Sequence, residues 1–270
     1  MRKNIGFIGC GKMAQAMIEG IIKSNNWKSS EIIASAKSQS TLDAVKKRLN
    51  ITTSLNNKDV ANWADILILA IKPNLHEEVI HEINESIKPD TIVVTIAAGI
   101  TIEYLERHFY QKLKIMRAMP NTPSLVGEGM SAICGNQLVT EEDLLDVRSL
   151  FHCFGKVEVV EEHLMDAIPA VSGSSPAFVY MFIEALADGA VKEGITRDKA
   201  YVFAAQAVLG AAKMVLETGK HPGELKDEVC TPGGSTIEAV ASLEQSGFRS
   251  AVITAMESCT KKTKKLLSNN

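Results

Sequence analysis

The sequence predicts an α/β amino-terminal domain built on a parallel sheet, residues 1–162, followed by an all-α carboxy-terminal domain, residues 163–270. Three observations predict it. Short β-branched runs alternate with helix-patterned segments up to about residue 160, the rhythm of a sheet covered by helices on both faces. Several of those runs, such as Ile66-Leu67-Ile68-Leu69 and Ile92-Val93-Val94, are apolar throughout, as strands buried on both faces are. Beyond His163 strand-like runs vanish, alanine becomes frequent and the apolar spacing turns helical.

In chain order the expected strands are residues 4–8, 31–34, 66–70, 91–96 and 114–116. The expected helices of the second domain are residues 178–192, 199–217 and 250–265, with KKTKKLLSNN as a solvated, fraying tail. Residues 199–217 carry apolar side chains around most of the helix circumference, including Ala204, Ala205, Ala207 and Ala211. Such a helix needs neighbours on several sides, more than so short a domain supplies, so a homodimer is expected.

Composition removes several classes of function. With 46% apolar residues in 270, the chain can build a real core. A net charge of −3 gives no positive field for a phosphate backbone, so nucleic acid is not an expected partner. The longest apolar stretch, 201–216, is interrupted by Gln206 and Lys213 and reads as a buried helix shorter than a bilayer span, so no membrane is expected. The start MRKNIGFIG opens a strand at once, without a signal region, and implies a cytoplasmic location. Five scattered cysteines without C-x-x-C spacing read as reduced thiols, and six histidines without metal spacing give no metal site.

The first motif is NIGFIGCGKMAQAMIEG, residues 4–20: a strand, then Gly9-x-Gly11-x-x-Ala14, then a helix. That order is the dinucleotide fingerprint. Gly9 permits the tight turn, Gly11 lets backbone approach a pyrophosphate, and Ala14 permits close helix packing at a helix start that attracts anions. The first domain is therefore read as a Rossmann-type dinucleotide-binding domain. After the second strand, where an acid would hold a ribose of NAD, the chain reads Ser35-Ala36-Lys37-Ser38 with no acid between Glu31 and Asp43. Hydroxyls and a cation suit a 2′-phosphate, so NADPH is preferred over NADH, with Ser35, Lys37 and Ser38 as its ligands; a plain surface lysine is the alternative for Lys37.

Further stretches fall at the carboxyl ends of expected strands, where open α/β sheets bind ligands. They are Ala70-Ile71-Lys72-Pro73, Ala97-Ala98-Gly99 and the stiff Met119-Pro120-Asn121-Thr122-Pro123. The small 97–99 side chains suit either a nicotinamide ring close to the backbone or close loop packing.

In the helical domain, Pro232-Gly233-Gly234-Ser235-Thr236 leads into helical spacing at Ile237, Val240, Ala241 and Leu243. A helix start there offers free N–H groups to a small carboxylate, although helix capping by Ser or Thr is common turn chemistry. Ser172-Gly173-Ser174-Ser175-Pro176 reads as a second hydroxyl-rich helix start.

The segment PGELKDEVCTPGGSTIEAVASLE closely resembles the signature of pyrroline-5-carboxylate reductases. Gly9-Cys10-Gly11-Lys12-Met13-Ala14, Lys72-Pro73, Ala97-Ala98-Gly99, Met119-Pro120-Asn121-Thr122-Pro123 and Ser172-Gly173-Ser174 match that family's motifs in order. The resemblance implies a helical dimerisation domain that intertwines with a second subunit, an active site shared between subunits, and in many members a decamer. It implies hydride transfer from NAD(P)H to the C=N bond of the cyclic imine, giving L-proline. It places the nicotinamide near 97–99 and 119–121, Ser35 and Asn57 near the adenosine, Ala70, Lys72 and Pro73 along the cofactor, and the substrate against Ser172, Gly173, Ser174, Gly233, Gly234, Ser235 and Thr236. Thr236, beside the imine nitrogen, is the catalytic candidate. Ser175 stands where many members have glycine, a departure that bears on the loop's conformation.

Two rival readings share these features. A dehydrogenase or imine reductase for another small acid would show a catalytic lysine on the interdomain helix, which here has Lys192 only at its far end. A noncatalytic NADPH sensor would have no need of the two hydroxyl-rich segments.

Overall fold

The computed structural model describes residues 3–267. Contacts divide them into one unit running to Ser174 and resuming at Cys259, and a second unit, Ser175–Ser258. The change of sequence character at 163 and the division of contacts at 175 are thus different boundaries.

The first unit runs β1 (Ile5–Ile8), α1 (Lys12–Lys23), β2 (Ile32–Ser35), α2 (Gln39–Leu49), β3 (Thr52–Ser54), α3 (Asn57–Trp63), β4 (Ile66–Leu69), α4 (His76–Ile83), β5 (Ile92–Thr95), α5 (Ile102–His108), β6 (Lys114–Met119), β7 (Gly129–Gly135), α6 (Glu141–His152) and β8 (Gly155–Val159). The sheet order is β3-β2-β1-β4-β5-β6-β7-β8. β1 pairs in parallel with both β2 and β4, so the strand order reverses there and a crevice opens at the carboxyl ends of β1 and β4. β1, β2, β4 and β5 are buried along their whole lengths, which explains their continuous apolar runs. One core cluster joins Phe7, Ile68 and Val94 to Met17, Ile18 and Phe151; the other joins Leu67 and Val93 to Ile80 and Leu105.

The sheet is not wholly parallel. β7 pairs with β6 antiparallel, Ala118 opposite Ile133, and β8 then follows β7 in parallel. A parallel crossover needs a helix-length connection, whereas β6 and β7 are joined only by a loop holding a 3₁₀ turn, Thr122–Val126, so the chain returns the way it came.

The second unit contains α7 (Ser175–Lys192), α8 (Arg197–Thr218), α9 (Pro222–Val229), α10 (Ser235–Gln245) and the start of α11 (Phe248–Leu267). α11 carries most of the basic tail as helix, since its register continues past Lys261; residues 268–270, the rest of the expected tail, lie outside the described residues. The expected buried helix is not buried within the chain: along α8 only Ala200 and Ala204 are buried, while Val202, Phe203, Leu209 and Leu216 are exposed. α7 likewise exposes Tyr180 and Met181. Nor does this stretch fall short of a span, because the helix extends beyond 201–216 at both ends; it and residues 169–192 are long and apolar enough to cross a membrane. So much contiguous apolar surface marks an interaction face.

One polar cluster anchors α6 to the sheet. Thr140 caps the helix and forms a reciprocal capping box with Asp143, which is buried and also paired with Lys114 at 2.8 Å and Lys3 at 3.1 Å. Burial alone would raise the Asp143 carboxyl's pKa, but hydrogen bonds from Lys114, Thr140 and Lys3 outweigh it and hold the pKa well below the usual carboxylate range. Asp143→Asn is expected to cost on the order of 2 kcal/mol at neutral pH. Because the folded pKa is the lower one, that contribution is complete above about pH 4 and shrinks as the pH falls below it. Urea unfolding of both proteins from pH 7 to pH 3 checks this; a difference that grows on acidification contradicts it.

Candidate active site

At the switch point, Gly9 has a φ of +91°, and a β-carbon on it would lie 2.5 Å from the Ala70 carbonyl oxygen. Its N–H donates to Ser35 O at 3.1 Å, and Ala70 N–H donates to Ile8 O at 2.8 Å, so the turn is tied to the ends of β2 and β4. α1 then starts at Lys12 with Gly11 as its cap and no side chain on its first N–H groups. A β-carbon on Gly11 would meet nothing within 4 Å, which leaves the free helix start open to an anion. Ala14 is buried where α1 meets the sheet.

A cavity of about 340 Å³ lies here, lined by Gly11, Lys12, Met13 and Ala14, by Ala70, Ile71 and Lys72, and by Ile96 and Pro120. It therefore brings together the ends of β1, β4, β5 and β6. Ile71 belongs to the expected Ala70–Pro73 stretch, whereas Ile96, the last residue of the expected strand 91–96, is not among the site candidates and only its position at a strand end could mark it. Cys10 does not offer its thiol: the side chain is buried in the core, burial pushes the pKa up to about 11, and its carbonyl accepts from Gln15 Nε2.

The adenosine-side candidates separate into two groups. Ser35 is withdrawn from any ligand, being fully buried at the end of β2 with its hydroxyl donating to Asn57 Oδ1 at 2.7 Å. Asn57, half-buried, donates in turn to Glu82 Oε2 at 2.7 Å. Lys37 and Ser38 are exposed. Ser38 caps α2, its hydroxyl accepting from Thr41 N–H, and Lys37 has no ion pair among the described residues.

Beyond β4, Lys72 is exposed and Pro73 starts a 3₁₀ turn, Pro73–Leu75. Beyond β5, Ala97 and Ala98 are half-buried and Gly99 is buried with a φ of +83°. Met119 is half-buried, whereas Asn121 is buried and works as a clamp: Met130 N–H donates to its Oδ1 and its Nδ2 donates to the Ser172 carbonyl, both at 2.9 Å. Ser172 and Gly173 belong to a π-helical turn, Pro169–Gly173, that leads directly into α7, with Ser174 N–H on Pro169 O at 2.6 Å. The expected helix start is present, since α7 begins at Ser175, and the turn before it is π-helical; local π turns of this kind recur at functional sites. Ser174 Oγ lies 3.3 Å from Cys259 Sγ.

In the second unit, Thr231 O accepts from Gly234 N–H at 3.0 Å to close a turn through Gly233, whose φ is +67°. Gly234 is the cap of α10, in extended conformation and without a side-chain bond. Thr236 therefore lies inside the first turn and is not the capping residue. It is half-buried, and its hydroxyl has no hydrogen bond among the described residues. Ser235 is exposed. No side chain caps the first N–H groups of α10. Among the described residues no group of His, Cys, Asp or Glu could hold a metal ion.

Comparison with known proteins matches residues 162–266 to the family described as pyrroline-5-carboxylate reductase dimerisation, and residues 4–99 to that described as NADP oxidoreductase coenzyme F420-dependent. The pyrroline-5-carboxylate reductase of Escherichia coli K12 is 50% identical, over 98% of this chain and 99% of that protein. Among solved structures, a pyrroline-5-carboxylate reductase from Coxiella burnetii superposes with a TM-score of 0.92 at 33% identity, covering 98% of this chain and 99% of that one. The Plasmodium falciparum pyrroline carboxylate reductase with NADP bound gives 0.88 at 32%, covering 98% of each. With the glycine turn, the two loop motifs beyond β4 and β5 and the uncapped start of α10 all in place along a full-length match, the chain belongs to the pyrroline-5-carboxylate reductase family.

Proposed function

We propose that this chain reduces 1-pyrroline-5-carboxylate to L-proline, the last step of proline biosynthesis, with NADPH preferred over NADH. The observation that carries the reading is the open cavity in front of Gly11, at the uncapped start of α1 and the ends of β1, β4 and β5. Its walls suit a dinucleotide: backbone N–H groups for the pyrophosphate, and Met13, Ile71, Ile96 and Pro120 as an apolar lining that excludes water. Lys37 and the start of α2 would take the 2′-phosphate, with Asn57 on the adenosine side; NADP bound to the Plasmodium relative supports this preference. Ser35 serves by holding Asn57 and the glycine turn.

When bound, the reduced nicotinamide supplies the hydride that the C=N carbon receives. The chain's own residues orient and anchor. The substrate carboxylate lies on the free N–H groups of Ser235 and Thr236 at the start of α10, the Ser172–Gly173–Ser174 segment contributes to substrate binding, and the Thr236 hydroxyl accepts a hydrogen bond from the imine nitrogen. That nitrogen arrives protonated as the iminium ion, so no side chain need act as an acid; the gain comes from orientation. The apolar faces of α7 and α8 support an oligomer. In this reading two copies share each active site, dimers assemble into a decamer, and the enzyme works in the cytoplasm.

Thr236→Ala should lower kcat about tenfold while leaving the melting temperature and NADPH affinity unchanged; unaltered steady-state kinetics exclude the role given to Thr236. Lys37→Ala should raise the KM for NADPH about tenfold, the weight of one charge-assisted hydrogen bond, and leave that for NADH untouched. Equal effects on both cofactors would remove Lys37 from the 2′-phosphate site.

A further inference from the structure

His76, the first residue of α4, is fully buried and has no part in the chemistry above. Its Nδ1 is 3.2 Å from the Lys72 carbonyl oxygen, and its Nε2 is 3.0 Å from Thr95 Oγ1. Thr95 is buried too, and its Oγ1 accepts from Ala97 N–H at 3.2 Å. The partners fix the tautomer. A carbonyl can only accept, so Nδ1 carries the proton; Nε2 is then bare and accepts from the Thr95 hydroxyl, whose oxygen remains free to accept from Ala97. Burial lowers the pKa of His76 against the opposing pull of the Lys72 and Pro73 carbonyls, in keeping with a neutral ring.

The result is one relay from Ala97 N–H through Thr95 and His76 to Lys72 O. It ties the loop beyond β5 to the loop beyond β4, and Ile96 and Lys72 of those loops line the cavity. Past Ile96 N–H on Leu69 O the strand ladder has ended, and the imidazole bridges the two segments. An apolar side chain of similar volume would fill the same space without desolvating two polar atoms, so what the imidazole adds is a fixed spacing.

We propose that His76 is a positioning residue for the cofactor, setting the spacing of the Lys72-Pro73 and Ala97-Ala98-Gly99 loops and thereby the placement of the nicotinamide ring. This rests on the reading that these loops hold the ring. The test uses the full-length protein, with NADPH and adenosine 2′,5′-bisphosphate, which lacks the nicotinamide, as probes. For His76→Leu the dissociation constant of NADPH should rise and kcat should fall, each about tenfold, while binding of the bisphosphate stays within about twofold of the parent. Thr95→Val should do the same, and the double variant should lose less than the two single losses combined, because both break one relay. Should His76→Leu not fold, His76→Asn, which retains only the donor to Lys72, and Thr95→Val carry the same measurements.

Parental NADPH binding and kcat in these variants overturn the proposal, as does an equal loss for both probes, which a general structural role would produce. Ala98→Leu separates the two claims. If it leaves NADPH binding unchanged, the reading of the loops fails; if it weakens NADPH binding while the His76 variants do not, only the role of His76 fails.

Discussion

The turn at Gly9 is the constraint on which the cofactor side of the molecule depends. There is no room for a β-carbon against the Ala70 carbonyl, and the backbone there takes a left-handed conformation that glycine alone adopts without strain. Given that turn, β1 can sit between β2 and β4, its exit tied to Ser35 and Ala70, and α1 can start with its N–H groups facing outward. The loops beyond β4 and β5 then close on the same point, Lys72 and Ile96 reaching the cavity that Gly11 opens. The open helix start in front of Gly11 is thus a consequence of sheet topology.

The second unit follows a different logic. α7 and α8 carry more apolar surface than their own neighbours cover, and the match to a dimerisation family accounts for what the single chain leaves exposed. The same surplus lets these helices satisfy the composition of a membrane span, so length and hydropathy alone cannot separate a subunit interface from a bilayer-facing helix. α10 adds a helix start capped by a glycine, so that no side chain of the cap covers its first N–H groups.

Much of this was legible in the sequence, for physical reasons. Strands buried on both faces announce themselves as continuous apolar runs, as β4 and β5 do, while β1, β2 and the first half of β6 are legible as short β-branched runs alternating with helical patterns. β3, β7 and β8 were not: β3 is a three-residue polar edge, β7 is punctuated by Gly129, Ser131 and Gly135, and β8 buries only Val157. The glycine loop was legible because strand, turn and helix are contiguous. Ser35 misled because β2 is buried on both faces, so no alternation told which way its hydroxyl pointed. The cap of α10 depended on the backbone angles of Gly234, and the His76 relay on a contact between residues 19 apart in sequence; neither leaves a local pattern.

The central claim, that a cofactor cavity and a carboxylate-binding helix start serve reduction of a cyclic imine, is tested most directly by mixing the purified protein with racemic pyrroline-5-carboxylate and following the absorbance of NADPH and, in parallel, NADH. Rapid oxidation with formation of proline, faster with NADPH, is the expected result. A folded protein that binds NADPH yet oxidises neither cofactor would contradict it.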